Sequence, residues 1–558
     1  MRVNAFLAAA AMLAASAPAA AIVPVLTPDE RAAAYYVRAR AADAGGMLDV
    51  AAAGYAKALD AAPGDAVLAV RAYHQGLMAG DQALARRAAA ILDAQGALPP
   101  DARLLALTDA VLARDWTAAA RITDRIEKDD LFGFMVPVLR GWIAFGAGDK
   151  DPLGKLAVTG RGGSLAIAYA GEHRALMLLA TGQRRDGIAA IRAIDVTNGG
   201  RGTRLRLAAA AKLAEDGDRD GAAAMLSGNG PMLAAARAQL AAEGKLPGAV
   251  DSAAAGIAEL FVRVSLDINH ERTTTLGLVL ARLSTFLAPA NAETWLATAG
   301  MLAAADHADA ALAALGHVPA DDPAADSVRL ARLQLLVHKG EQQQALTEAI
   351  AAAGRPDVSL ADLMRVGDIL GDLDRHREAA DAYSRALALA DKDPSLADQR
   401  WTVLMLRGGA LDEAGDWKAA RADLQRAVKL APNQAVALNY LGYAELERRE
   451  NLAEAEKLIQ RASTLDPDDA AITDSLGWTY YLRGDLARAI VTLEKAAAGQ
   501  PGEPTINEHL GDAYWKAGRR YEARYAWRAA LVYADDGKVA ARIRSKIDLG
   551  LSPESAAP

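Results

Sequence analysis

Cysteine is absent from all 558 residues, which excludes disulfides, thiolate metal sites, cysteine nucleophiles and a lipid-bearing cysteine behind a leader segment. Aromatic residues are scarce, at 5% against 52% for all apolar residues. The apolar content is therefore mostly alanine, which suits closely packed helices rather than a large aromatic core. Strong charge of one sign is also missing: 62 Lys and Arg stand against 70 Asp and Glu, a net charge of −8. Nothing in that balance suggests a phosphate-binding surface, so nucleic acid is not expected as a partner. No apolar run reaches the ~20 residues of a membrane span.

Catalytic signatures are missing as well. The chain has no G-x-x-x-x-G-K-[ST] phosphate loop, H-E-x-x-H metal helix or G-x-S-x-G nucleophile elbow. The segment Gly160 to Ser164 lacks the lysine of a phosphate cradle and reads as a turn between helices. The eight histidines are scattered; only His307 and His317 are close, and His270-Glu271 and Glu172-His173 are adjacent pairs whose side chains diverge on a helix. Each histidine is expected to be a surface or packing residue, and no metal or cofactor is expected. The acidic pairs Asp129-Asp130, Asp321-Asp322, Asp468-Asp469 and Asp535-Asp536 fall at turns or helix starts, where carboxylates cap orphan amides.

The N-terminus holds Arg2, an apolar run from Ala5 to Ala15, Pro18, and then Ala19-Ala20-Ala21 before Ile22. That order is the pattern of a secretory signal peptide over residues 1–21, cleaved between Ala21 and Ile22. It predicts an exported, periplasmic and soluble protein, without lipid because cysteine is absent.

The most informative feature is a period. "LGDAY" from Leu510 follows "LGWTY" from Leu476, which sets Gly477 and Gly511 about 34 residues apart, the spacing of a helical repeat. In that frame a slot holds Ser265, Ala299, Leu333, Gly367, Gly408, Gly442, Gly477 and Gly511. A small partner recurs at Gly277, Ala311, Ala345, Ala379, Ala420, Ala455, Ala489 and Ala523. Prolines Pro432, Pro467 and Pro501 close units, since proline cannot continue a helix. A fainter copy holds Ala39, Tyr73, Leu107, Gly141, Ala175 and Ala209, with partners Ala51, Ala85, Ala119, Leu153, Gly187 and Gly221. The phase breaks after Ala209, and turn-like segments near Gly228 and Gly244 place a boundary between Asn229 and Asp251. After the last unit, Val539, Ile543 and Ile547 form one apolar stripe, which predicts a helix covering the end of the stack.

These motifs resemble the tetratricopeptide repeat, whose pattern W-x2-L-G-x2-Y, A-x3-F, P recurs at about 34 residues. The resemblance implies an all-α fold, a right-handed superhelical solenoid of helix-turn-helix units. The expected organisation is a degenerate array over 22–230, an interrupting segment 231–250, about eight units over 251–537, a capping helix 538–550 and a disordered tail 551–558. Ala437 to Leu531 further resembles a lineage of bacterial cell-envelope repeat proteins. Its type member is an outer-membrane lipoprotein that brings peptidoglycan hydrolases to a carboxyl-terminal processing protease; this chain departs from that type in having no cysteine to lipidate.

The resemblance implies a non-enzymatic adaptor whose first helices line an inner, partner-binding surface. Mapped here, that stripe carries Glu508, Asp512 and Trp515, then Asp474, Trp478 and Tyr481, then Asn439 and Tyr443, and becomes bland at Met405 and Gly409. Packing between repeats explains the aromatic members equally well. Arg520, Arg524 and Arg528 read as a solvated face, and Asp512 with Lys516 as a helical i, i+4 pair. A different class of function, a structural part of an outer-membrane assembly or a polysaccharide-export machine, uses the same kind of helical repeat.

Overall fold

The computed structural model describes residues 27–129, 131–158, 163–198, 200–228, 230–269, 274–356, 358–534 and 537–552. The expected signal peptide with its Ala21/Ile22 junction, His270-Glu271, Asp535-Asp536, most of Gly160–Ser164 and the tail from 553 lie outside the described residues. Within them the chain forms twenty-nine α-helices and no strand, so the all-α expectation holds. Contacts divide it into two compact units, residues 1–335 and 336–558.

The second unit consists of antiparallel helix pairs. Leu360–Asp372 pairs with His376–Lys392, Arg400–Glu413 with Trp417–Leu430, and Ala435–Glu447 with Leu452–Leu465. Ala470–Leu482 pairs with Leu486–Gly499, and Pro504–Lys516 with Arg520–Tyr533, before the last helix Gly537–Leu549. The glycine slot explains the closeness of each pair. A Cβ on Gly408 would lie 2.9 Å from Leu424, one on Gly477 would lie 2.7 Å from Leu493, and one on Gly511 would overlap the Trp527 ring. The knob that fills each slot is the large residue four places beyond the partner alanine. The alanines Ala420, Ala489 and Ala523 are themselves fully buried beside it.

Turns follow the same local logic. Ala431, Asp466 and Gln500 precede the unit-closing prolines, and their φ values of −131°, −137° and −140° leave the helical region, as the ring of a following proline requires. Asp469 then caps the next helix by accepting the Ile472 amide at 2.8 Å. Within pairs, Gly415, Gly484 and Gly518 take positive φ. The pair with one extra turn residue uses Arg449 (φ 55°) and Asn451 (φ 45°) instead.

The first unit is also built of helix pairs, from Pro28–Ala44 with Leu48–Ala61 onward. Its fourth pair is reduced: Val136–Gly146 is followed only by a 3-10 turn, Gly154–Leu156, and Leu156 rather than Leu153 fills the space over Gly141. The compact units divide at Leu335, so the segment between Asn229 and Asp251, expected to separate two arrays, lies inside the first unit. Segment 231–250 forms the helix Pro231–Glu243, and Ala253–Asn269 and Thr274–Leu287 pack on Val136–Gly146, Ala102–Leu112 and Ala66–Ala79. The physical reason is a shared core: Ile257, Phe261, Val264, Leu280 and Leu283 are buried in one cluster with Tyr73, Leu107 and Trp142. Gly256 lies against the Trp142 ring, where any side chain would overlap it.

Candidate protein-interaction surface

The expected stripe lies on the first helices of the second unit and advances in register. Asn439 and Tyr443 are followed by Asp474 and Trp478, then by Glu508 and Asp512. One further period beyond Glu508 and Asp512 arrives at Arg542 and Lys546 of the last helix. Gly537–Leu549 therefore continues the ladder as one more first helix, with cations where its predecessors carry carboxylates.

That complementarity closes the end of the face. The Arg542 guanidinium donates to both Glu508 oxygens, at 2.8 and 2.7 Å. Lys546 Nζ donates to Glu508 Oε1 at 2.6 Å and to Asp512 at 2.8 and 2.9 Å, and its side chain has 0% exposure. Trp527 Nε1 donates to Asp512 Oδ1 at 2.9 Å. Beside them His509 Nδ1 lies 2.9 Å from Asp474 Oδ2, and its ring stacks on Trp478 with centroids 4.0 Å apart. Trp478 in turn stacks on Tyr481 at 4.3 Å.

Three carboxylates thus face Lys546, Arg542 and His509 in a buried set. Burial opposes charge on Glu508, but Arg542 and Lys546 outweigh it and hold the carboxyl below its ordinary range. Burial likewise opposes a charged His509, and the carboxylates of Asp474, Asp512 and Glu508 reverse the balance, so its proton affinity rises. Paired charges of this kind specify one register, whereas removing a single partner strands a buried ion.

The structure consequently corrects part of the sequence reading. Glu508, Asp512, Asp474, Trp478 and Tyr481 are buried, with Trp478 1% exposed; the next first helix covers them, so they form no open contact surface. Trp515 is half-buried beneath Arg520 and Arg524, whose guanidinium carbons lie 3.8 and 5.1 Å from the ring centroid. Arg524 also donates to the Ile547 carbonyl, so this arginine face is only partly solvated. Lys516 lies over the Tyr481 ring rather than pairing with Asp512. His509 has a partner after all, Asp474, in a structural setting: stacked, buried and without access to substrate. The signal for Arg542 and Lys546 was present in the sequence as one more period beyond Glu508 and Asp512.

Asn439 and Tyr443 remain half-buried, as do Met405 and Gly409 one unit upstream. Asn439 Oδ1 is buried without a hydrogen-bond partner. Tyr443 is turned to Glu447, whose carboxyl burial pushes up while the Tyr443 hydroxyl pulls it down. Two other histidines pack: His173 accepts the Trp142 indole N–H at 3.0 Å, and burial, with help from Arg204, pushes its pKa down to about 3. His317 stacks on Trp295. Among the described residues no group of three or more metal-binding side chains is assembled, and no helix is long and apolar enough to cross a membrane.

Repeated helix pairs with small-residue slots and a capped end define a helical-repeat protein. The profile of the tetratricopeptide repeat matches residues 364–435, 405–470 and 441–504, so this region consists of tetratricopeptide repeats. A TPR repeat-containing protein of Pseudomonas aeruginosa is 31% identical over 162 residues, covering 29% of this chain and 26% of that relative. The match thus spans about a quarter of the relative's length. Among solved structures, a thermophilic TPR protein of Thermus thermophilus is 24% identical over 34% of this chain and all of its own, with TM-score 0.30. A tetratricopeptide repeat protein of Parabacteroides merdae is 15% identical over 53% of this chain and 99% of its own, with TM-score 0.35.

Proposed function

We propose that this protein is a non-catalytic adaptor, which binds partner proteins on the first-helix face of its tetratricopeptide repeats upstream of the closed end. Repeats of this class act as scaffolds for protein–protein contacts. The observation that carries the reading is the half-buried set Met405, Asn439 and Tyr443, with the Asn439 Oδ1 acceptor unpaired, in line with a sealed neighbour. A buried acceptor without a partner costs roughly 1–3 kcal/mol, which a donor from a bound chain would offset.

The N-terminal pattern around Ala21 and Ile22 supports export to the periplasm, and the resemblance of Ala437 to Leu531 supports one sharper role there. In that role the adaptor presents cell-wall hydrolases or other envelope proteins to a carboxyl-terminal processing protease. The test is reconstitution of residues 22–558 with a purified protease of that class and a peptidoglycan hydrolase from the same cell. Faster degradation of the hydrolase, lost in Asn439→Ala/Tyr443→Ala while thermal unfolding falls far less than in Trp478→Ala, is expected. Equal degradation with and without the adaptor would overturn the sharper role.

A further inference from the structure

Away from that face, the first unit contains a small cavity of about 50 Å³ lined by Arg204, Glu259, Glu293 and Asp322 together with the apolar Leu207, Met232 and Leu246. A shallower groove of about 310 Å³, which shares Leu246, Pro247 and Asp322 with it, carries Glu243, Asp321 and Lys245. Polar groups in the cavity are incompletely used. Arg204 Nη2 stands 2.9 Å from Glu259 Oε1, yet that oxygen accepts no hydrogen bond of good geometry and Arg204 Nη1 has no partner. Glu259 is 4% exposed. The half-buried Glu293 carboxylate makes no hydrogen bond or ion pair with any described residue.

Charge decides what could enter. Arg204 is the one cation lining the cavity and already pairs with Glu259, so one guanidinium faces three carboxylates and Glu293 and Asp322 leave the edge of the apolar space net negative. Burial raises the proton affinity of both: Arg204 moderates the effect at Glu293, and the Ala324 amide moderates it at Asp322. Partially dehydrated carboxylates that outnumber their cations favour a further one. The absence of a three-ligand metal arrangement among the described residues and the aliphatic wall favour an organic one. At roughly 10–15 Å³ for each water-sized group, the cavity has room for about three to five heavy atoms, an ammonium and a few methylenes.

We propose that this cavity binds the primary ammonium end of a short aliphatic chain, either a free alkylamine or a lysine side chain whose peptide lies in the adjoining groove. Glu293 receives the ammonium with Asp322 beside it, Leu207, Met232 and Leu246 enclose the methylenes, and Arg204 Nη1 is left to donate to a carbonyl of the ligand. This site is separate from the repeat face invoked above and stands whether or not that reading does.

The test is calorimetric titration of residues 22–558 with cadaverine, with a Gly-Gly-Lys-Gly-Gly peptide, and with its norleucine counterpart. Cadaverine or the lysine peptide is expected to bind and the norleucine peptide not to bind. Glu293→Gln should weaken binding about tenfold or more with unchanged circular dichroism and melting, while Glu293→Asp retains part of the affinity. Tighter binding of the peptide than of cadaverine assigns a protein lysine as the ligand, and the reverse assigns a free amine. No binding of either ammonium at millimolar concentration, or equal affinity for wild type and Glu293→Gln, would overturn the proposal.

Discussion

Between Asp474 and Lys546 the first-helix face of the second unit is closed by ion pairs and stacked rings, whereas at Met405, Gly409, Asn439 and Tyr443 the same repeat positions stay half-exposed. Both stretches share helix spacing, glycine slots and buried alanines. They differ in which side chains the next repeat brings against them. A repeat ladder therefore sets where a stripe runs, and the residues one period later decide whether it is surface or interior. In the closed stretch the next rung supplies Lys546 and Arg542 to carboxylates, or His509 to Trp478; in the open stretch Tyr440 meets Gly409, and Asn439 keeps an unused acceptor.

The sharpest break in this contrast is Trp478→Ala. Removing a fully packed indole should cost roughly 3–5 kcal/mol in chemical denaturation, whereas Tyr443→Ala in the open stretch should cost clearly less. Lys546→Met should cost a similar ~3–5 kcal/mol, because Glu508 and Asp512 lose their shared counter-ion while remaining buried; the unfolding free energy of the C-terminal hairpins reads this. Gly511→Ala should cost about 1–3 kcal/mol, since the added methyl overlaps Trp527 and either the ring or the helix must shift.

The smallest effects concern protons and turns. His509 binds its proton more tightly in the folded state than at its ordinary value of 6.5, so the stability it contributes is full below pH ~6.5 and is lost as pH rises through the folded value. Glu508 works in the opposite sense, its contribution present above its ordinary 4.5 and lost on acidification. Melting of the last hairpins should fall as pH rises from about 6.5, and His509→Gln should flatten that slope. Arg449→Gly should stabilise by up to about 1 kcal/mol, because it relieves a left-handed backbone at φ 55°; an unchanged or lower melting temperature would count against that account.

Much of the fold was legible because its signal is periodic. A slot filled by glycine recurs through the last repeats and stands out in alanine-rich sequence as Gly367, Gly408, Gly442, Gly477 and Gly511. The division of the chain was not legible, because it depends on Phe261 and Gly256 meeting Trp142 from far along the sequence. For the stripe, the positions were readable and the burial was not. Asp512 has a plausible partner one helical turn on, Lys516, and only the fold shows that Lys546 takes it. Charges at Arg542 and Lys546 look like a solvated helix face until they are aligned one period behind Glu508 and Asp512.

Hydrogen–deuterium exchange of the last helix, Gly537–Leu549, tests the closed end most directly, since a terminal helix without such pairing frays. Its amides should be protected to the same degree as those of Pro504–Lys516 in the wild-type chain, and both should lose protection together in Lys546→Met. Rapid exchange of Gly537–Leu549 beside a fully protected Pro504–Lys516 would contradict the account.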